Sequence, residues 1–185
     1  MLEKILQVDR EVFIRLNNLG SEPYDVFWST VSKFTTWIPL FVLLILFIFL
    51  KNTRQHAVWM LLSFMSMLML LTPFIWLTQY WVGRLRPNND PSINTLVRIV
   101  QTPDDYSFFS SQAAMATSIA LLAILFLRKK WAWIHWVWIF PVLYSLSAIF
   151  LGVNYPLDIF FGGLVGALFA LFFYRLHQRL KAPYL

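Results

Sequence analysis

The chain has 185 residues, of which 59% are hydrophobic and 13% charged, against roughly 25% charged in ordinary soluble domains. One water-soluble domain of this length cannot hide that much apolar surface, so a soluble globular protein is excluded, and so is a disordered one. There is no cysteine, which removes disulfides, thiolate nucleophiles and cysteine-based metal sites together, and the net charge of +6 bears on membrane topology rather than on nucleic acid.

The first 24 residues carry Glu3, Lys4, Asp9, Arg10, Glu11 and Arg15, which break any signal-peptide core. Leu2, Ile5, Leu6, Phe13 and Leu16 fall near helical spacing there. They predict an amphipathic helix lying at the membrane surface, with a helix facing water as the alternative. Long uncharged stretches follow. A transmembrane helix needs about 20 mostly apolar residues. The stretches predict five spans, roughly 28–50, 56–81, 110–128, 131–151 and 155–175. Pro73 and Pro141 fall inside predicted spans and are expected to kink them. Trp131, Trp133, Trp136 and Trp138 form one run, which reads as an interfacial belt. Gly162, Gly166 and Ala170 recur every four residues, which predicts a close-packing helix face. The predicted fold is all-α: a polytopic membrane bundle of about five transmembrane helices plus an N-terminal interfacial helix. It forms a single domain over 1–185, with a long extracytoplasmic loop at 82–109.

The charges orient this bundle. Lys51, Arg54, Arg128, Lys129, Lys130, Arg175, Arg179 and Lys181 all fall on one side, with no acid among them. The other side holds seven basic residues and all nine acids. The positive-inside rule places the first set in the cytoplasm. The N-terminus and the 82–109 loop are then outside an inner (cytoplasmic) membrane, facing periplasm or exterior.

Three polar clusters fall at the outer ends of spans. They are Gln79 to Pro87, Tyr106 to Ala114, and Ser147 to Asp158. Arg84 and Arg86 supply forked cationic donors. Ser110 stands where a helix should begin and can cap it, and a helix start is a natural phosphate cradle. Asn154 and Asp158 are four apart and are expected to share a face. The residues alone also allow a plainer reading, in which the arginines anchor the interface to lipid headgroups and Ser110 is only a cap.

The clusters resemble the three motifs of the type 2 phosphatidic acid phosphatase family, which shares its fold with the vanadium haloperoxidases. The family pattern is K-x6-R-P, then P-S-G-H, then S-R-x5-H-x3-D. Here Arg86-Pro87 matches the first, Phe109-Ser110-Ser111-Gln112 aligns with the second, and Ser147-Ala148 with Asn154 and Asp158 aligns with the third. The resemblance implies a membrane lipid-phosphate phosphatase architecture. It implies that a lysine and two arginines hold the phosphate, one histidine protonates the leaving group, and another, oriented by the aspartate, attacks phosphorus. In this chain those positions read Gln79 for the lysine, Ala148 for the second arginine, Gln112 for the acid and Asn154 for the nucleophile. Arg86, Ser110 and Asp158 remain, with Arg84 as neighbour and Ser111 in the glycine position.

Amides do not titrate near neutral pH and cannot act as general acid or base. His56, His135 and His177, the only histidines, fall at the opposite ends of their spans. The expectation is a pseudoenzyme of this hydrolase family, with no intact catalytic set, no cofactor and no metal. It would bind a phosphorylated lipid headgroup weakly at most, through Arg86, Arg84, Ser110 and Ser111. The alternatives are a working lipid phosphate or polyprenyl diphosphate phosphatase with a rearranged site, in which Asp158 replaces histidine, and a structural or partner-binding membrane protein.

Overall fold

Ser110 is followed by a run rich in alanine and serine, then by leucine and phenylalanine. That run forms a helix that is buried on almost every side, as a helix apolar all round should be. In the computed structural model, which describes residues 2–181, this is α5 (Ser111–Leu127), the centre of the bundle. The other helices are α1 (Leu2–Asn17), α2 (Asp25–Val31), α3 (Ile38–Lys51), α4 (Arg54–Val82), α6 (Ile139–Phe150) and α7 (Pro156–Lys181). Among the described residues the protein is all-helical, with four helices long and apolar enough to cross a membrane and α5 as a shorter apolar fifth. Leucines, phenylalanines and tryptophans cover the outer faces of α3, α4 and α7, as a hydrocarbon solvent requires.

The most extensive pairing is α5 with α7. The glycine face of α7 makes it possible. A Cβ on Gly166 would overlap the Ala114 carbonyl, and one on Gly162 would press into the Ser110 carbonyl. The two backbones touch directly, and Ala170 on the same face is fully buried. Along α4, Leu71 and Ile75 pack against Phe109 and Ala114. At the far end, Lys130 Nζ donates to the Lys51 carbonyl at 2.9 Å and to Asn52 Oδ1 at 2.8 Å, joining the loops after α3 and α5.

Several boundaries differ from those expected. The first span does not begin at 28, because α2 ends at Val31 and Lys33 is extended. The apolar helix instead runs over Phe34–Lys51, opening with a 3₁₀ turn over Phe34–Trp37. The tryptophan run forms a 3₁₀ segment (Ala132–Trp138) ahead of α6. Its three-residue turn puts Ile134 and Val137 inward and Trp133 and Trp136 outward. Pro141 therefore lies in the first turn of α6, just after the 3₁₀ segment, while Pro73 lies in the interior of α4.

The N-terminal helix is more than a surface helix. Phe13 is fully buried against the Tyr155 ring, with centroids 5.2 Å apart. Asn17 Nδ2 donates to the Ile149 and Arg98 carbonyls at 2.9 and 3.1 Å, and its Oδ1 accepts from the Arg98 N–H at 2.7 Å. Ile5, Val8 and Val12 remain exposed on the other face. One stripe of α1 is thus docked on the protein and an apolar stripe is left exposed.

Candidate active site

Two glycines aim the loops that build the site. Gly83 (φ 60°) terminates α4, its N–H donating to the Gln79 carbonyl at 3.0 Å, and turns the chain so that Arg84 and Arg86 enter the mouth of the bundle. Gly152 (φ 78°) follows α6, and a side chain there would collide with the Arg98 carbonyl. The next residues, Val153 and Asn154, fold back with both N–H groups donating to the Ala148 carbonyl.

α5 starts as its sequence predicts. Ser110 Oγ accepts from the Ala113 N–H at 3.3 Å, the N-cap bond. The Ser110 N–H donates to the Asp158 carbonyl at 2.9 Å, so the starts of α5 and α7 are joined. Ser111 opens the helix, half-buried. The preceding Phe108–Phe109 peptide is cis. Gln79, buried at the end of α4, donates through Nε2 to the Phe109 carbonyl at 3.1 Å. Gln112 meets the Tyr144 hydroxyl, and its Oε1 is buried without a hydrogen-bond partner among the described residues.

Asn154 and Asp158 do not share a helix face. Pro156 is the first residue of α7, so Asn154 precedes the helix. Asp158 reaches back to accept the Tyr155 N–H at 3.1 Å, the carboxylate half of a capping box. Asn154 is held at both ends of its amide. Its Nδ2 donates to the Ser107 carbonyl at 2.9 Å and its Oδ1 accepts from Arg86 Nη1 at 3.1 Å. Ala148 is buried and contributes only its backbone.

The arginines have partners that sequence reasoning missed. Arg84 bridges two carboxylates: Nη2 to Asp9 Oδ2 at 2.6 Å and Nη1 to Asp158 Oδ1 at 2.7 Å. Its guanidinium lies over the Tyr155 ring, 4.0 Å from the centroid. Asp9 also accepts the Leu157 N–H at 2.9 Å, adding an acid at the positive end of α7. Arg86 grips Asp105 with Nε to Oδ1 at 2.7 Å and Nη2 to Oδ2 at 3.0 Å, and Nη1 also donates to the Val153 carbonyl at 3.1 Å. A signal for Asp9 existed, since Asp9, Phe13 and Asn17 recur every four residues and form the buried face of α1. No spacing pointed to Asp105.

Nearby, Asp90 accepts the Tyr155 hydroxyl at 3.0 Å. Burial raises the Asp90 pKa. The Ser92 hydroxyl and N–H, the Tyr155 hydroxyl and the Arg10 charge outweigh it and hold the group below the usual carboxylate value. Burial, then the Asp90 charge and hydrogen bond, push the Tyr155 phenol well up, so it stays neutral and donating.

The His56–His177 pair lies far away. His56 and His177 face each other with ring centroids 5.6 Å apart, at the start of α4 and the end of α7. Nineteen residues separate Asp158 from His177 along α7, about 28 Å at the rise of an α-helix.

Residues 58–182 match the PAP2 superfamily. The chain is 32% identical over 142 residues to a protein named undecaprenyl-diphosphatase from Sulfolobus acidocaldarius, covering 77% of this chain and 64% of that one. It is 29% identical over 195 residues to a lipid A 4'-phosphatase from Bacteroides thetaiotaomicron, covering 98% of this chain and 82% of that protein. The chain thus spans slightly less than two thirds of the first relative's length. The fold is that of the transmembrane PAP2-type phosphatidylglycerolphosphate phosphatase from Bacillus subtilis, with a TM-score of 0.73 at 17% identity over 96% of this chain and 88% of that one. The chain is an integral membrane protein and belongs to the PAP2 superfamily.

Proposed function

We propose that this protein keeps the architecture of a lipid-phosphate phosphatase but does not hydrolyse its lipid by the family's histidine chemistry. It engages a phosphorylated lipid headgroup weakly, at the extracytoplasmic face of a cytoplasmic membrane. The observation that carries this reading is the state of Asn154 and Gln112. They stand where the resemblance places nucleophile and acid. Both are amides, and the Asn154 amide is already bonded at its nitrogen and its oxygen. Asp158 offers no substitute nucleophile, because one oxygen holds Arg84 and the other accepts the Tyr155 N–H. Loss of a nucleophile in such a unit costs on the order of 10⁶ in turnover.

Weak binding follows from the charges. The resemblance asks for three cations on the phosphate, and Gln79 and Ala148 supply none. A charge-assisted hydrogen bond contributes about 1.5–3 kcal/mol, so losing two weakens binding by roughly two to four powers of ten. Arg86, Ser110 and Ser111 remain as the contacts, and Arg84 is committed to Asp9 and Asp158.

A second reading is a working phosphatase with a rearranged site. The relatives named as phosphatases, at 29% and 32% identity, favour it. Phosphate release from phosphatidic acid, a polyprenyl diphosphate and lipid A in detergent separates the two. The expected result is no release by the native chain and measurable release after Gln112→His, Asn154→His and Ala148→Arg are combined. Release by the native chain that Asp158→Asn abolishes would establish the second reading.

The orientation is tested separately. In this cysteine-free chain, Asp104→Cys is expected to react with an impermeant thiol reagent added to intact cells, and Lys129→Cys only after the cells are opened. The reverse pattern would put the site in the cytoplasm.

A further inference from the structure

Five arginine–carboxylate pairs occur among the described residues, and Arg86–Asp105 differs from the rest. In it the cation is buried and the acid is exposed: the Arg86 side chain is 5% accessible and that of Asp105 58%. Around Arg84 the order is reversed, with both acids buried more deeply than the arginine. An exposed carboxylate regains its hydration when it leaves, whereas a buried guanidinium cannot follow it into water. The backbone around Asp105 is also lightly held. Pro103 is anchored by the Asn88 and Asn89 side chains and Ser107 by the Arg84 carbonyl. Residues 104–106 between them make no backbone hydrogen bond among the described residues.

The contact itself has the form of a ligand. Asp105 takes the Nε/Nη2 edge of Arg86 with two parallel bonds, while Nη1 is tied inward to Val153 and Asn154. Two oxygens of a phosphate monoester take the same edge in the same way. We infer that Asp105 is a displaceable internal anion, occupying on Arg86 the fork that a phosphorylated headgroup takes, so that headgroup binding requires Asp105 to swing out. The inference rests on the reading of Arg86 as a headgroup contact and adds a regulation to it. Asp105 lowers the apparent affinity by competing for the cation, and it keeps a buried guanidinium neutralised while no lipid is bound.

The test uses the purified full chain in detergent. The probes are short-chain phosphatidic acid, inorganic phosphate in a parallel arm, and short-chain phosphatidylcholine as the uncharged comparison. Asp105→Ala is expected to raise phosphatidic acid affinity roughly tenfold. It should also melt earlier than the native chain in phosphatidylcholine, because Arg86 loses its counterion, and recover in phosphatidic acid. Recovery by inorganic phosphate as well locates the effect in the phosphate group, and recovery by the lipid alone adds a share from its chains. Either outcome supports displacement. Adding Arg86→Met to Asp105→Ala should erase the gain, and Asp105→Asn should reproduce it without altering side-chain volume. Equal affinity for native, Asp105→Ala and Asp105→Asn chains, with Arg86→Met weakening all three, would overturn the internal anion and leave the headgroup reading standing. Absence of binding by every variant would overturn both.

Discussion

Arg84→Ala is expected to lower stability by about 3–5 kcal/mol, the range seen when one partner of a buried ion pair is removed. The reason is what the substitution leaves behind. The Asp9 and Asp158 side chains are 1% and 0% accessible, and both point at the same guanidinium. Without it, two carboxylates face each other in a dry site at the mouth of the bundle. The cation–π contact with Tyr155 goes as well. Because Asp9 belongs to α1 and Asp158 to α7, the loss should also loosen α1 from the bundle. Thermal unfolding in detergent and proteolysis of the N-terminal helix measure both effects. Adding Asp9→Asn should recover part of the loss, since it removes one uncompensated charge. If Arg84 matters only through packing, the double variant will be no better than the single one.

The second large effect is expected from one methyl group. Gly166→Ala places a Cβ inside the Ala114 carbonyl, on backbone that cannot rotate away. The α5–α7 pair must separate, and overpacking of this kind costs about 1–3 kcal/mol or more. Separation also moves the start of α5, because Gly162 on the same face packs on the Ser110 carbonyl and the Ser110 N–H is bound to Asp158. Gly163 is the internal comparison. A Cβ there meets only Thr117 Oγ1 at 3.6 Å, an ordinary contact. Gly163→Ala should therefore be neutral or mildly stabilising, by up to about 1 kcal/mol from helix propensity. Equal melting temperatures for the two alanine variants would show that the helices are not held at backbone contact.

The large features of this protein were legible in its sequence because each depends on neighbouring residues alone. Spans follow from runs of apolar side chains, the start of α5 from Ser110, and the close-packing face of α7, though not its partner, from small residues every four positions. The positions Gln79, Arg86, Gln112, Asn154 and Asp158 came from the resemblance to the family's three motifs. The structure places Gln79 beside Phe109, Arg86 beside Asn154, and Asp158 beside Ser110. The start of α7 was also readable, since Pro156 marks a first helical position, but the four-residue spacing of Asn154 and Asp158 was read through it as one helix face.

The pairing of charges was not legible. Arg84 finds Asp9, 75 residues away, and Asp158, 74 residues away, while Arg86 two residues later finds Asp105 instead. Coulomb attraction depends on distance and on exclusion of water, and both are set only when α1 docks, Gly83 turns the chain and the 82–109 loop folds over the bundle. The sequence alone determined a membrane bundle whose cationic motif end lacks histidine. Only the tertiary structure decided that each cation there already holds a carboxylate of the same chain, because such a cation cannot be buried without a counter-charge.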